Sequence, residues 1–379
     1  MRILQATTIV RYGAGIAFTD LCCELARRGH EVHAVSTTHP EFPEWTHLRE
    51  RLLENGVTTH RAELFKRDSI SLWSSTQVIA ELLESRPFDA IQAHAGTPAF
   101  ALWMAQIKTG ISIPKFAGSL HGFGSHTRPE WMDWMDRFAW GKCDFISTDS
   151  VACMQIARSK GIEPTKGIYP AARFEPKPVS YNKEEQAVAD TLRSKFVIAC
   201  VSEVIPGKGQ LDLAIAARKL ARDRQQEVAC LLVGATTDSE YLSRIEAIAA
   251  SEPFLSIIAI GQKSRTRPYL EMADACVFPT YAEGLGLGII ESIETETPTY
   301  FSFLPDSTID IARELGLEPE RYTFAPGDSD QIALRLEEAL SNPIPLAERE
   351  RIASKAREIF SVRNFVDGFE RYFQASQEL

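Results

Sequence analysis

Two doubly wound α/β domains, facing one another across a cleft, are the architecture this sequence predicts. Three observations predict it. The chain of 379 residues exceeds what one hydrophobic core usually serves, so two domains of roughly 150 to 200 residues are expected. A strand, a glycine-containing turn, a helix and a second strand open the chain, and the same order begins again near residue 195. Strands alternating with helices signal parallel sheets.

In the first domain, residues 2–8 read as a strand, 12–15 as a glycine loop, 16–28 as a helix and 31–36 as a strand. Phe18, Leu21 and Leu25 share one face of that helix, and Gly29 stands where a left-handed C-terminal stop belongs. "FDAIQAHAG" and "PKFAGSLHG" read as buried strands ending in His94 and His121, and "KCDFISTDS" as another. "FEPKPVSYNKEEQAVADTLRS" is rich in proline and charge, so the first domain is expected over 1–174 with a linker over 175–194. The second domain, 195–360, opens with the strand "KFVIACVSE", the loop "VIPGKG", the helix "QLDLAIAARKLARD" and the strand "EVACLLVGA". A helix from Ser239, the strand "FLSIIAIG", a short helix ending at Asp274 and the strand "ACVFPT" follow. The end is helical, and residues 361–379 form a terminal helix placed to cross back to the first domain.

Composition narrows the function. Hydrophobic residues at 44% and charged residues at 24% describe an ordinary globular protein without low-complexity tracts. A net charge of −10 argues against general nucleic-acid binding, which needs clustered Lys and Arg. No apolar run approaches the roughly 20 residues that span a bilayer, and "MRILQATTIV" reads as a first strand, so a cytoplasmic protein is expected. Seven cysteines, an odd number and mostly in apolar stretches, read as reduced core residues. No C-x-x-C or H-x-x-x-H spacing suggests a metal site.

The stretch "YAEGLGLGIIE" carries the most chemistry. Ligands of open parallel sheets bind beyond the carboxyl ends of strands, where helix N-termini offer free N–H groups. Gly284, Gly286 and Gly288 let backbone approach a phosphate there, with Glu283 before the helix and Glu291 about one turn inside it. Carboxylates accept paired hydrogen bonds from vicinal hydroxyls, so this arrangement suits a nucleotide sugar; a solvated helix start is the plain alternative. "GAGIAF" misses a dinucleotide fingerprint, because Phe18 replaces the third glycine and the second strand ends without an acidic residue. Asp328 and Asp330 form a D-x-D, but Asp328 or Ser329 more simply caps the helix that follows. Trp131, Trp134 or Met135, and Phe138 make a helical stripe, read as core with membrane or acceptor contact as the minority option. His94 and His121 read either as satisfied core histidines or as cleft residues, His121 being the stronger candidate.

Taken in order, these motifs resemble the retaining glycosyltransferases of the GT-B fold, family four, over nearly the whole chain. The resemblance rests on "GAGIAFTDLCCELARRGHEV", "HG" at His121, "CVSEVIPGKGQLDLAIA", the E-x7-E in "ADACVFPTYAEGLGLGIIES" and "FAPGDSDQIALRLEEAL". It implies a metal-independent, retaining hexosyl transfer, with no cofactor, from a UDP or GDP sugar to a glycan, lipid-linked or protein acceptor. Polysaccharide, glycolipid or glycoconjugate synthesis at the inner face of a membrane would be the setting, with peripheral association. Carried over, Glu283 meets the donor sugar and Glu291 the ribose. The amides of Gly286, Leu287 and Gly288 meet the sugar and diphosphate. Lys208 neutralises the leaving diphosphate, His121 sits by the sugar, and Gly13 to Gly15 approach the donor phosphate or acceptor. Two departures stand out. Glu203 occupies the place of an arginine five residues before Lys208, with Arg265 or Arg267 as substitutes, and residues 296–315 lack the family's glycine-rich loop. An epimerase or hydrolase on the same fold, and a non-catalytic sugar-nucleotide binder, are the alternatives.

Overall fold

The computed structural model describes residues 1–37, 46–66, 68–121, 130–174 and 180–375, with backbone alone for Tyr12 and residues 130–133. The chain forms two compact units, Met1–Ala171 with Val362–Leu379, and Ala172–Ser361.

In the first unit, strand and helix alternate from β1 (Arg2–Ile9), α1 (Tyr12–Arg27) and β2 (Glu31–Thr37) to α2 (Thr46–Glu54) and β3 (Thr58–Arg61). α3 (Ser69–Ser85), β4 (Ala90–Ala93), α4 (Gly96–Thr109), β5 (Phe116–Leu120), α5 (Glu130–Trp140), β6 (Phe145–Thr148), α6 (Cys153–Ser159) and the short β7 (Lys166–Gly167) follow. The sheet order is β3-β2-β1-β4-β5-β6-β7, all parallel. The reversal beside β1 puts helices on both faces, which is why the strands are apolar on both sides. Leu4, Ile91, Phe116 and Ile146 pack under α3 to α6, while Ile3, Ala90, Ala117 and Phe145 pack under α1 and a terminal helix. The predicted loop at residues 12–15 is instead the first turn of α1. Glycine there needs no unusual backbone: a Cβ on Gly15 would lie 2.8 Å from the Val10 carbonyl carbon, so closeness of helix to strand explains it.

The second unit begins with α7 (Lys183–Thr191), inside the stretch that composition marks as a linker. Its start is a capping box: the Asn182 side chain accepts from the Glu185 N–H, and Glu185 accepts from the Asn182 N–H. β8 (Phe196–Val201), α8 (Gln210–Arg224), β9 (Val228–Val233), α9 (Ser239–Ala250), β10 (Leu255–Ala259) and α10 (Arg267–Glu271) come next. Then follow β11 (Ala275–Phe278), α11 (Leu287–Glu294), β12 (Thr299–Ser302), α12 (Ile309–Leu315), α13 (Pro319–Tyr322), β13 (Thr323–Phe324), α14 (Ser329–Ser341) and α15 (Leu346–Ile359). This sheet runs β10-β9-β8-β11-β12-β13, again parallel, with its reversal between β8 and β11.

The last helix, α16 (Val362–Gln374), belongs to the first unit. Phe365, Val366, Phe369 and Phe373 repeat at helical spacing and are buried with Phe18, Leu21 and Leu25 of α1. Arg28 at the end of α1 donates to Asp367 at 2.6 Å and Glu370 at 2.5 Å, which fixes the helix at its rim. The cysteines are free thiols, six buried and Cys143 half-buried.

Candidate functional site

The reversal between β8 and β11 places two loops side by side. Pro206–Lys208 forms one 3-10 turn after β8, and Gly209 then takes φ +69 to start α8. A Cβ on Gly209 would lie 2.0 Å from the Pro279 carbonyl oxygen, so glycine is what admits the turn to the end of β11. The Tyr281 N–H donates to the Gly207 carbonyl at 3.0 Å, and Tyr281 Oη donates to Asp212 at 2.7 Å. These contacts bring Lys208 to Glu283, 75 positions on: Nζ donates to Oε1 at 2.5 Å. The side chains keep 23% and 19% of their exposure, so the pair remains open to a ligand.

Beyond the pair, Gly286 takes φ +96 as the N-cap of α11, and no side chain caps the helix. The amides of Leu287 and Gly288 open that helix, where N–H groups and the macrodipole favour an anion. Glu291 sits half-buried in the second turn. The second unit therefore gathers a cation, a carboxylate, a glycine-shaped helix start and a second carboxylate at the carboxyl ends of two central strands.

Glu203 follows β8 as the sequence implies. Its carboxylate accepts from Thr237 Oγ1 at 2.8 Å and its carbonyl accepts from the Gln210 side chain at 2.8 Å. Arg265 lies 3.5 Å from Glu185 at the start of α7. Arg267 is buried between Glu271, at 2.7 Å, and Glu294. Glu294 closes α11 at the end opposite Gly286, so Arg267 is engaged away from the helix start. Asp328 caps α14 by accepting from the Gln331 N–H, and Asp330 pairs with Lys219 at 2.6 Å; the capping reading of the D-x-D holds.

In the first unit, β4, β5 and β6 are each followed directly by a polar residue: His94, His121 and Asp149. His121 Nδ1 is 2.9 Å from Asp149 Oδ1, and its Nε2 is 2.9 Å from His94 Nδ1. The imidazoles stack, 5.2 Å apart and 7° from parallel, and Phe18 meets His94 in a T-shaped contact. Burial works against a charge on His121, but Asp149 outweighs it and the pKa is raised. Burial and the neighbouring His121 hold His94 well below the usual histidine value. Asp149 was not singled out in the sequence; its position directly after a buried strand, matching His94 and His121, was the available signal. Gly13 and Gly15 lie in the first turn of α1, whose N-cap Arg11 makes no side-chain capping bond. Of the aromatic stripe, Met135 is buried and Trp134 is exposed, stacking on Phe138 at 5.5 Å; Trp131 lies outside the described side chains.

Two doubly wound parallel units, with this site at the sheet reversal of the second, define the GT-B class of fold. Residues 12–169 match the glycosyl transferase 4-like domain, and residues 182–359 match the glycosyl transferases group 1 domain. The chain belongs to the glycosyltransferases of that fold. Its structure is similar to HepE from Anabaena, solved in complex with UDP and glucose, with a TM-score of 0.78 and 15% identity over 98% of this chain and 99% of that one. A glycosyltransferase from Rickettsia africae gives 0.79 at 15% identity over 98% and 97%. The sucrose-phosphate synthase of Thermosynechococcus elongatus gives 0.75 at 17% over 99% and 98%. A sequence comparison with curated proteins returned no match.

Proposed function

We propose that the protein moves a hexosyl group from a nucleoside-diphosphate sugar to an acceptor hydroxyl with retention of anomeric configuration. The observation that carries this is the Lys208–Glu283 pair under the open start of α11. In the resting site each charge satisfies the other. Donor binding would exchange this contact for two: Lys208 turns to the diphosphate and Glu283 to hydroxyls of the sugar, while Glu291 takes the ribose. The bond between the anomeric carbon and phosphate oxygen breaks, and the negative charge that develops meets Lys208 and the Leu287 and Gly288 amides. The acceptor oxygen bonds to the anomeric carbon from the same face, and its proton passes to the departing diphosphate. His121 acts on the transferred sugar. Charge stabilisation by lysine and helix start requires no metal in this scheme.

A UDP donor is favoured over GDP by the ligands of the HepE complexes. Incubation with UDP, GDP and ADP sugars, with and without glycan and lipid-linked acceptors, tests the proposal. Product that forms only with acceptor is expected. Conversion of donor alone would mean an epimerase or hydrolase, and a shift in melting without turnover a binding protein.

Glu203 bears on the same site. Replacing Glu203 with Arg removes a carboxylate and supplies a fork of donors, so UDP should bind more tightly by about 10-fold, the scale of one charge-assisted hydrogen bond. Calorimetry with UDP measures it. Unchanged or weaker binding would place position 203 outside the diphosphate contact.

Peripheral attachment to a membrane surface is the location we propose. No helix among the described residues is long and apolar enough to cross a membrane. The four most exposed large apolar side chains among them, Ile70, Trp73, Ile107 and Trp134, all lie on the adjoining helices α3, α4 and α5. Lys108 lies over Trp73 at 5.8 Å and Lys142 over Phe138 at 4.7 Å. Exposed tryptophan beside lysine suits the headgroup layer of an anionic bilayer. The protein should sediment with phosphatidylglycerol vesicles, and the double change Trp73→Ala and Trp134→Ala should weaken this by roughly 10-fold. Wild-type protein left in the supernatant would refute attachment.

A further inference from the structure

Four adjacent strands of the first sheet carry polar side chains where apolar ones would pack more cheaply. Gln5 of β1, Gln92 of β4, Ser119 of β5 and Ser147 of β6 are all buried. They share the face of Ile3, Ala90, Ala117 and Phe145, under α1 and α16. Each is linked to the next. Ser147 donates to the Gly118 carbonyl at 3.3 Å, and the hydroxyls of Ser119 and Ser147 are 3.1 Å apart. Gln92 donates to Ser119 at 2.8 Å, Gln5 donates to Gln92 Oε1 at 3.0 Å, and Gln5 Oε1 lies 2.8 Å from His94 Nε2. The chain then runs through His94 and His121 to Asp149.

With the amides in this orientation, one assignment of protons completes every link. With Gln5 Nε2 donating to Gln92, Gln5 Oε1 accepts, so His94 Nε2 carries a hydrogen. His94 is neutral, so its Nδ1 is bare and accepts, and His121 Nε2 must then donate. His121 Nδ1 donates to Asp149. Every link has one donor and one acceptor, and His121 is the single group that donates both ways. A neutral His121 would leave His94 Nε2 and Gln5 Oε1 as two facing acceptors unless both amides turned over.

We propose that Asp149 and His94 are positioning residues that hold His121 as an imidazolium with both nitrogens occupied. This rests on the reading that His121 acts on the transferred sugar. A ring so held has no lone pair for the acceptor's proton, so what it offers to transfer is a standing positive charge. Asp149, from the end of β6, and His94, from the end of β4, are the titratable groups that reach it among the described residues. Asp136 of α5 lies against Gly96, at the start of α4.

Histidine-labelled protein, followed by nitrogen NMR without substrate, tests the holding directly. His121 should stay protonated above the ordinary histidine value of about 6.5, and should titrate below it in Asp149→Asn. Activity of the wild type should fall as pH rises through the raised His121 value. In Asp149→Asn that alkaline limb should move to lower pH, with the loss in kcat rather than KM, and Asp149→Glu should restore it. Melting curves of both variants, set beside the wild type, show that the compared proteins are folded. A His121 that is neutral near pH 7 in the wild type overturns the proposal whatever the enzyme transfers. A protonated His121 whose loss leaves the pH profile in place overturns the role in transfer, while product formation in the donor panel would still uphold the transferase.

Discussion

Lys208→Ala should lower turnover on the order of 100-fold or more, the usual consequence of removing a preorganised group that meets charge developing in the transition state. The lysine is preorganised by its surroundings rather than by its own length. The turn Pro206–Lys208, the left-handed Gly209 and the Tyr281 N–H bond to Gly207 hold its backbone against the end of β11. Its ammonium then needs only to leave Glu283, 2.5 Å away, to meet a diphosphate. The pair is partly open to solvent, so its loss should change stability little. Stopped-flow turnover, UDP affinity and melting temperature, measured together, separate the cases. A large fall in kcat with an unshifted melting curve is expected. Turnover within about twofold of wild type would mean that this loop does not meet the leaving group, and the transferase mechanism proposed for it would fail while the fold stood.

The residues differ in how openly they announce this arrangement. The strands β8, β9 and β11 are short apolar runs bounded by turn signals, so their type follows from composition. Glu283 and Glu291 are visible because the glycines between them lie directly after such a run. The contact of Lys208 with Glu283 is not visible, since it depends on β11 lying next to β8 and on a Gly209 too close to Pro279 to carry a side chain. The same holds in the first unit. His94, His121 and Asp149 stand 27 and 28 residues apart, and only the parallel order β4-β5-β6 sets them side by side. Gln5 and Gln92 lie inside runs that read simply as strands, and only the pairing of β1 with β4 sets them opposite each other. α1 starts at Tyr12, ahead of the expected Ile16, because glycine in its first turn permits a loop without requiring one. The charged start of α7 hid a helix whose N-x-x-E cap was legible.

Glu283→Gln and Glu291→Gln should injure different steps. Glu283 stands in the loop before α11, paired with Lys208; Glu291 is anchored in the second turn of the helix. If Glu283 holds hydroxyls of a sugar whose ring flattens and gains charge as it leaves, its contact strengthens on the way to the transition state, and Glu283→Gln should lower kcat. The ribose is the same before and during transfer, so Glu291→Gln should chiefly raise KM and weaken UDP binding. A hydrogen bond to a charged group contributes about 1.5 to 3 kcal/mol, so each loss should be on the order of 10- to 100-fold in its own parameter. Glu283→Gln also frees the Lys208 ammonium from its partner, so UDP should bind that variant at least as well as the wild type. This opposite sign distinguishes a carboxylate that restrains the lysine from one that merely edges the helix. Both variants within about twofold of wild type in kcat, KM and UDP affinity would leave the two carboxylates with no part in the donor site.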